Sequence, residues 1–73
     1  MNAPLDHAIM RLLRLALRLG AGQPVTSAYI CETYGVSKAT AKRDLVRLEC
    51  LLPVRVELER GGNFSRKVMR ARP

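Results

Sequence analysis

Cysteine, histidine and aromatic residues are scarce in this sequence, and the shortage excludes several classes of protein. The 73 residues include two cysteines, one histidine, two tyrosines, one phenylalanine and no tryptophan. Cys31 and Cys50 are too few for the disulfide framework of a small secreted domain, and with His7 they have no metal-binding spacing. We expect both cysteines to act as small apolar residues in helices, and we expect no cofactor and no bound metal.

Long hydrophobic runs are also missing. The apolar stretch near the N-terminus is interrupted by Arg11, Arg14 and Arg18, and no signal-peptide cleavage site follows it. No run approaches the roughly 20 apolar residues that cross a bilayer. We therefore expect a cytoplasmic protein with no membrane partner.

Acidic residues are few compared with basic ones. Thirteen Lys and Arg residues against six Asp and Glu give a formal charge of +7. This excess favours nucleic acid as a partner, because a basic face attracts phosphates. A generic basic protein, such as a ribosome-associated one, is the alternative that charge alone leaves open. The length predicts one domain, 1–73, that buries roughly 60% of the surface of the unfolded chain.

Hydrophobic periodicity predicts three helices followed by a β-hairpin. The predicted helices span about 4–20, 27–34 and 37–51. Thr26 or Ser27 caps the second helix, and Gly35 ends it. Ser37 is the N-cap of the third helix.

The first helix is more apolar than one small core requires. Its inward stripe is predicted to consist of Leu5, Ile9, Leu12, Ala16 and Leu19. Further leucines widen the apolar arc to more than half of the helix, which favours a dimer contact. A helix on a membrane surface is the alternative, although the following helices offer a core to pack against. The candidate dimer residues are Leu13, Leu15, Leu17 and Leu19.

The third helix has an aliphatic inner face and a basic outer face. The inner stripe is predicted to consist of Ala41, Leu45, Leu48 and Leu52. Lys42 and Arg43 are the candidates for reading base edges, and Asp44 is expected to turn sideways and pair with an arginine. A merely solvated helix face is the alternative. The predicted DNA-contacting residues of this helix are Ser37, Lys38, Ala39, Thr40, Lys42, Arg43 and Arg47.

The C-terminal part, about 54–70, alternates apolar and charged residues as a half-exposed hairpin does. A loop of Gly61, Gly62 and Asn63 pairs Val56 with Val68 and Glu57 with Lys67, and places Phe64 on the face of Val56 and Leu58. The glycines allow close approach to DNA, and a simple turn with solubilising charges is the alternative. The candidate DNA contacts are Arg60, Asn63, Arg66 and Lys67.

The predicted order of elements is two helices, a tight turn, a longer helix and a hairpin. This order predicts a mainly α fold, a three-helix winged helix-turn-helix. The segment from Gly35 to Leu45 reads Gly-Val-Ser-Lys-Ala-Thr-Ala-Lys-Arg-Asp-Leu and is followed by Leu48. It resembles the DeoR-type winged helix-turn-helix, whose pattern is Gly-Val-Ser, two variable residues, Thr, an aliphatic residue, Arg-Arg-Asp-Leu and Leu. The segment 25–31 resembles the second helix of that family. Ala41 and Lys42 depart from the pattern, where a larger aliphatic residue and arginine are usual.

The resemblance implies a bacterial or phage transcriptional regulator that binds operator DNA as an oligomer. DeoR-family repressors carry a sugar-phosphate-sensing domain after this segment, whereas this chain ends at Pro73. We therefore expect a small stand-alone regulator, in preference to an excised domain, with no small-molecule effector.

These patterns together predict a sequence-specific repressor that binds double-stranded DNA as a homodimer. One alternative is a winged-helix module that binds and modulates a host or cognate protein. Another is RNA binding or architectural binding through charge alone. We do not expect an enzyme, because the sequence has no nucleophile–base pair, paired carboxylates, phosphate loop or metal cluster.

Overall fold

The computed structural model describes residues 4–72, with side chains from Asp6 onward. The elements follow in the order α1 (Pro4–Gly20), α2 (Ser27–Tyr34), α3 (Lys38–Leu51), β1 (Val54–Arg60) and β2 (Ser65–Ala71). Three helices and one antiparallel hairpin confirm the predicted fold class and are compatible with a winged helix-turn-helix. The predicted domain, 1–73, includes 1–3 and 73, which lie outside the described residues. Within 4–72, no helix has the length and hydropathy to cross a membrane.

Short polar side chains and one glycine fix the turn between α2 and α3. The Thr26 hydroxyl accepts a hydrogen bond from the Tyr29 N–H at 3.0 Å and caps α2. Gly35 ends α2 with φ of 65°, a left-handed conformation that a residue without a side chain adopts easily. The Ser37 hydroxyl accepts from the Thr40 N–H at 3.2 Å and caps α3. The two helices are therefore joined by a short turn of defined geometry.

The core lies where the three helices meet the base of the hairpin. Its buried residues are Leu15, Leu19, Val25, Ile30, Ala41, Leu48, Val54 and Met69. Val25 pairs with Met69 as an isolated antiparallel bridge, with N–H···O distances of 2.9 and 2.8 Å. This bridge ties β2 to the link between α1 and α2, so the hairpin is anchored on both edges of that strand.

The inward face of α1 differs from the prediction. Leu15 and Leu19 are 0% and 1% exposed, and Leu12 packs against them, whereas Ile9 is 47% exposed. Leu15 and Leu19 were predicted as dimer contacts, and this was wrong because both are enclosed in the core of their own chain. The apolar arc is so wide that periodicity alone does not fix the rotation of the helix. The side chain of Leu5 lies outside the described residues.

The inward face of α3 also differs from a purely aliphatic stripe. Ala41, Asp44 and Leu48 are buried, whereas Leu45 is only partly buried. Asp44 lies on the buried face, on the side from which Arg11 of α1 approaches. Cys50 is exposed, so the prediction that it packs as a small apolar residue was wrong.

The hairpin register is shifted by one residue from the predicted one. Val56 lies opposite Met69 instead of Val68, and Glu57 lies opposite Val68 instead of Lys67. The loop has four residues, Gly61 to Phe64, and is closed by a hydrogen bond from the Gly61 N–H to the Phe64 carbonyl at 2.9 Å. Phe64 therefore belongs to the loop and not to the returning strand. The register is favoured by two sets of contacts, the bridge from Val25 to Met69 and the ion pairs of the outer face.

Candidate nucleic-acid interface

A buried carboxylate fixes the orientation of α3. Asp44 is 0% exposed and accepts hydrogen bonds from Nε of Arg11 and, at 3.2 Å, from Nη2 of the same side chain. Nη1 of Arg47 lies 3.6 Å from Oδ1 of Asp44. The predicted pairing of Asp44 with an arginine is confirmed, and its main partner belongs to α1, 33 residues away in the chain.

This ion pair is well shielded from water. The Arg11 side chain is only 10% exposed. The hydrogen bonds to Asp44 raise the pKa of Arg11 above its ordinary value, which stabilises the charged guanidinium. Among the described residues, no buried side-chain nitrogen or oxygen lacks a hydrogen-bond partner. The acidic charge of Asp44 is thus neutralised inside the molecule.

The outer face of α3 is basic because its central acid is turned inward. Lys38, Lys42, Arg43 and Arg47 are exposed, together with Ala39 and Val46. Lys42 and Arg43 form no ion pair within residues 4–72. Glu49 is the exposed acid of this helix and lies in its last turns. The sequence-predicted residues of α3 therefore share one surface.

Ser37 and Thr40 lie at the start of this surface, and their hydroxyl groups are hydrogen-bonded to each other. The Ser37 hydroxyl caps the helix and donates to the Thr40 hydroxyl at 3.1 Å. Thr40 is half-buried. The N–H groups of the first turn of α3 still give this end of the helix a partial positive charge.

The predicted hairpin residues are all exposed but differ in their surroundings. Nε and Nη2 of Arg66 donate to Glu59 at 2.9 and 2.6 Å, so its charge is already paired. Lys67 lies opposite Leu58, on the face that carries Val56. Arg60 ends β1, and Asn63 is in the loop. Compared with Arg66, more hydrogen-bond donors remain available for a ligand on Lys67, Arg60 and Asn63.

An open groove of about 940 Å³ separates the hairpin from α2 and α3. Its basic lining residues include Lys38, Lys42 and Lys67, and its acidic ones are Glu32 and Glu49. Lysines from α3 and from β2 thus face a common space. We call it the hairpin groove.

The loop of the hairpin has a feature that the sequence interpretation missed. Neither Gly61 nor Gly62 has a positive φ. A side chain at Gly61 would overlap the ring of Phe64, which lies directly against the backbone there. Phe64 is 56% exposed, and the guanidinium carbon of Arg66 lies 6.0 Å from its ring centre. Gly61 is therefore needed for the position of an aromatic ring at the hairpin tip.

An apolar surface remains on α1 after the core is formed. Leu13 and Leu17 are 61% and 75% exposed, and Ile9 and Met10 lie beside them. We call these four residues the α1 apolar stripe. Two of the four predicted dimer residues thus lie on the surface, and two surface residues, Ile9 and Met10, were missed because they were interpreted as core or not considered.

Within the part of the chain that the structure describes, no three side chains of His, Cys, Asp or Glu come together as a metal site would require.

Comparison with known proteins identifies the family. A family described as HTH domain matches residues 11–63, which include most of α1, all of α2, α3 and β1, and part of the loop. The chain belongs to this helix-turn-helix family, and it is a DNA-binding regulator in the general sense of that family. No curated protein and no solved structure matches the chain significantly.

Proposed function

We propose that this protein is a sequence-specific transcriptional repressor that binds operator DNA as a homodimer, acting by binding and not as an enzyme. The main support is the outer face of α3, where four basic side chains are exposed while Asp44 is paired inside the fold. A helix with one exposed basic face suits the major groove, in which a cationic surface meets phosphates and base edges.

In this proposal Lys42 and Arg43 read bases. Both are long, exposed and without an ion pair in the described residues, so their donors are available for the acceptors of guanine. Ala39 allows the helix to approach the groove floor. Phosphates are contacted by Ser37, Lys38, Thr40 and Arg47.

The hairpin contacts the DNA backbone or minor groove beside α3. Lys67 faces the hairpin groove together with Lys38 and Lys42, so a strand passing there meets basic side chains from both walls. Arg60 and Asn63 contact DNA from the tip. Arg66 contributes less, because Glu59 competes for its guanidinium.

The dimer forms through the α1 apolar stripe. Leu13 lies midway between Ile9 and Leu17, so an antiparallel pair of α1 helices centred on Leu13 packs Ile9 of each copy against Leu17 of the other. A two-fold dimer brings two recognition helices to two half-sites, which supplies the base contacts that one small domain lacks. The motif from Gly35 to Leu48 supports a DeoR-type mode of binding, and a dimer covering a promoter represses transcription by occupying it.

The proposal is tested by selecting sites from a randomised duplex library and measuring affinities by fluorescence anisotropy. We expect the wild type to prefer its selected site at least about 1,000-fold over random duplex. Arg43→Ala should cost about 1–3 kcal/mol on that site and relax specificity at one base pair.

The matched control is Arg55→Gln, which removes one exposed charge of the hairpin outside the predicted interface. It should keep the base preference of the wild type. Weak binding with equal affinity for all duplexes, or no binding at low salt, would contradict the proposal.

A further inference from the structure

Four basic side chains lie along one flank of α1. His7, Arg11, Arg14 and Arg18 recur at helical spacing and therefore share this flank. The α1 apolar stripe borders this flank, because Met10 and Leu17 are four and three positions from Arg14 and therefore lie beside it. The basic flank therefore adjoins the proposed dimer contact, whose central residue, Leu13, points away from it.

Two of these four residues fasten α1 to the other helices. Arg11 binds Asp44 of α3. Arg18 donates from Nε to the Pro24 carbonyl at 2.8 Å, and its guanidinium carbon lies 4.0 Å from the ring centre of Tyr29. Their donors are thus used inside the protein, and they hold the basic flank beside α2 and α3.

The other two, His7 and Arg14, are exposed and face a cleft. The cleft measures about 310 Å³ and is lined by His7, Met10, Arg11, Arg14, Tyr34 and Val36. His7 and Arg14 form no ion pair with the described residues. Among the described residues that line the cleft there is no carboxylate, in contrast to the hairpin groove with its Glu32 and Glu49. We call it the α1 cleft.

The α1 cleft lies on the flank of α3 opposite the hairpin. Asp44, which binds Arg11, and Lys42, which faces the hairpin groove, are two positions apart and so project to opposite flanks of α3. Val36 of the cleft directly precedes Ser37, the N-cap of α3. The outer face of α3 is therefore bordered by a basic surface on each side.

We propose that the α1 cleft binds a backbone phosphate of the DNA strand that borders the major groove on the side away from the hairpin. A helix in the major groove has a phosphate strand on either side of it, about 12 Å apart across the groove. Arg14 supplies a paired set of guanidinium donors, and His7 and the Tyr34 hydroxyl supply further donors of the kind that contact phosphates. With the hairpin on the other strand, α3 is held between two backbone contacts. This inference rests on the proposed DNA-binding function.

The test compares Arg14→Gln and Arg14→Lys with the wild type and with the control Arg55→Gln. Affinities are measured by anisotropy on the selected duplex and on a random duplex, between 50 and 200 mM salt. A lost phosphate contact should weaken both duplexes by the same factor and reduce the salt slope by about 0.9. The deficit of Arg14→Gln should therefore shrink about threefold over this salt range. Arg14→Lys keeps the charge and should restore the wild-type slope.

The outcomes separate the two proposals. If the wild type binds its selected site but Arg14→Gln behaves like Arg55→Gln, the phosphate site in the α1 cleft is wrong and the regulator function stands. If Arg14→Gln loses affinity only for the selected duplex, the phosphate site is also wrong, because that result assigns base reading to Arg14. If the wild type binds no duplex, the proposed function itself fails. Circular dichroism checks that each variant is folded, as expected for an exposed side chain.

Discussion

At the scale of single residues, Asp44 has a larger effect on the orientation of α3, and so on the proposed DNA-binding surface, than any of the exposed basic residues. A buried carboxylate is stable only with partners that satisfy its lone pairs, and Arg11 supplies two donors. The sequence predicted a sideways pairing because a carboxylate facing DNA would be repelled. It did not predict Arg11, since the contact joins positions 33 residues apart and the spacing of α1 only placed Arg11 on a polar face.

Replacing Asp44 should therefore destabilise the fold strongly. We expect Asp44→Asn to lower the free energy of unfolding by about 3–5 kcal/mol, because it leaves the 10% exposed Arg11 without a counter-ion. Urea denaturation followed by circular dichroism measures the change.

The matched control is Glu59→Gln, which breaks the exposed pair between Glu59 and Arg66. Exposed pairs contribute about 0–1 kcal/mol, so this variant should unfold close to the wild type. Equal effects of the two substitutions would show that Asp44 has no special role in stability.

At the scale of secondary-structure elements, the sequence predicted helix limits better than helix rotation or strand register. Thr26, Gly35 and Ser37 act within one turn of the chain, so local signals suffice to place the ends of α2 and α3. Rotation of α1 depends on Arg11 reaching Asp44, and the register of the hairpin depends on Val25 reaching Met69. Both are tertiary contacts, which periodicity along one element does not contain.

The hairpin tip offers a test of this element. Gly61→Ala should displace the ring of Phe64, because the added carbon would overlap it. Since the ring is exposed and free to move outward, the free energy of unfolding should change by no more than about 1 kcal/mol. The ring-proton chemical shifts of Phe64 report the displacement.

Gly62→Ala is the control, because nothing lies within 4 Å of a side chain added there. It should leave the Phe64 signals close to those of the wild type. Unchanged Phe64 shifts in both variants would mean that the ring does not rest on Gly61 in solution.

At the scale of the whole molecule, the charge excess and the apolar excess of the sequence are separated in space. The basic residues of α3 lie between the hairpin on one side and the α1 cleft on the other, while the most exposed leucines of the α1 apolar stripe, Leu13 and Leu17, line neither the hairpin groove nor the α1 cleft. Composition predicted both excesses, and the leucine surplus predicted a contact surface. It did not distinguish Leu13 and Leu17 from Leu15 and Leu19, because that choice depends on how α1 sits on its core.

The proposed dimer should dissociate when the stripe becomes charged. We expect Leu13→Glu combined with Leu17→Glu to give a folded monomer with weaker operator binding, since both side chains are more than half exposed in the single chain. Sedimentation equilibrium measures the mass, and anisotropy measures the binding.

Leu51→Glu is the control for oligomeric state, because Leu51 is 71% exposed and lies outside the stripe. It should leave the wild-type mass unchanged. A wild type that sediments as a monomer at micromolar concentration, or a double variant that remains dimeric, would contradict the proposed interface.

The contact between Arg11 and Asp44 has a consequence for the operator as well as for the protein. The helix α1 has 17 residues and is roughly 25 Å long. It carries the α1 apolar stripe and is also bound to α3 through Arg11 and Asp44. In the proposed dimer the two recognition helices would then be held at a set distance by two rigid arms, with little freedom to adjust. Such a dimer would bind tightly to half-sites one helical repeat apart. Its affinity for the same half-sites would fall when a few base pairs are inserted between them.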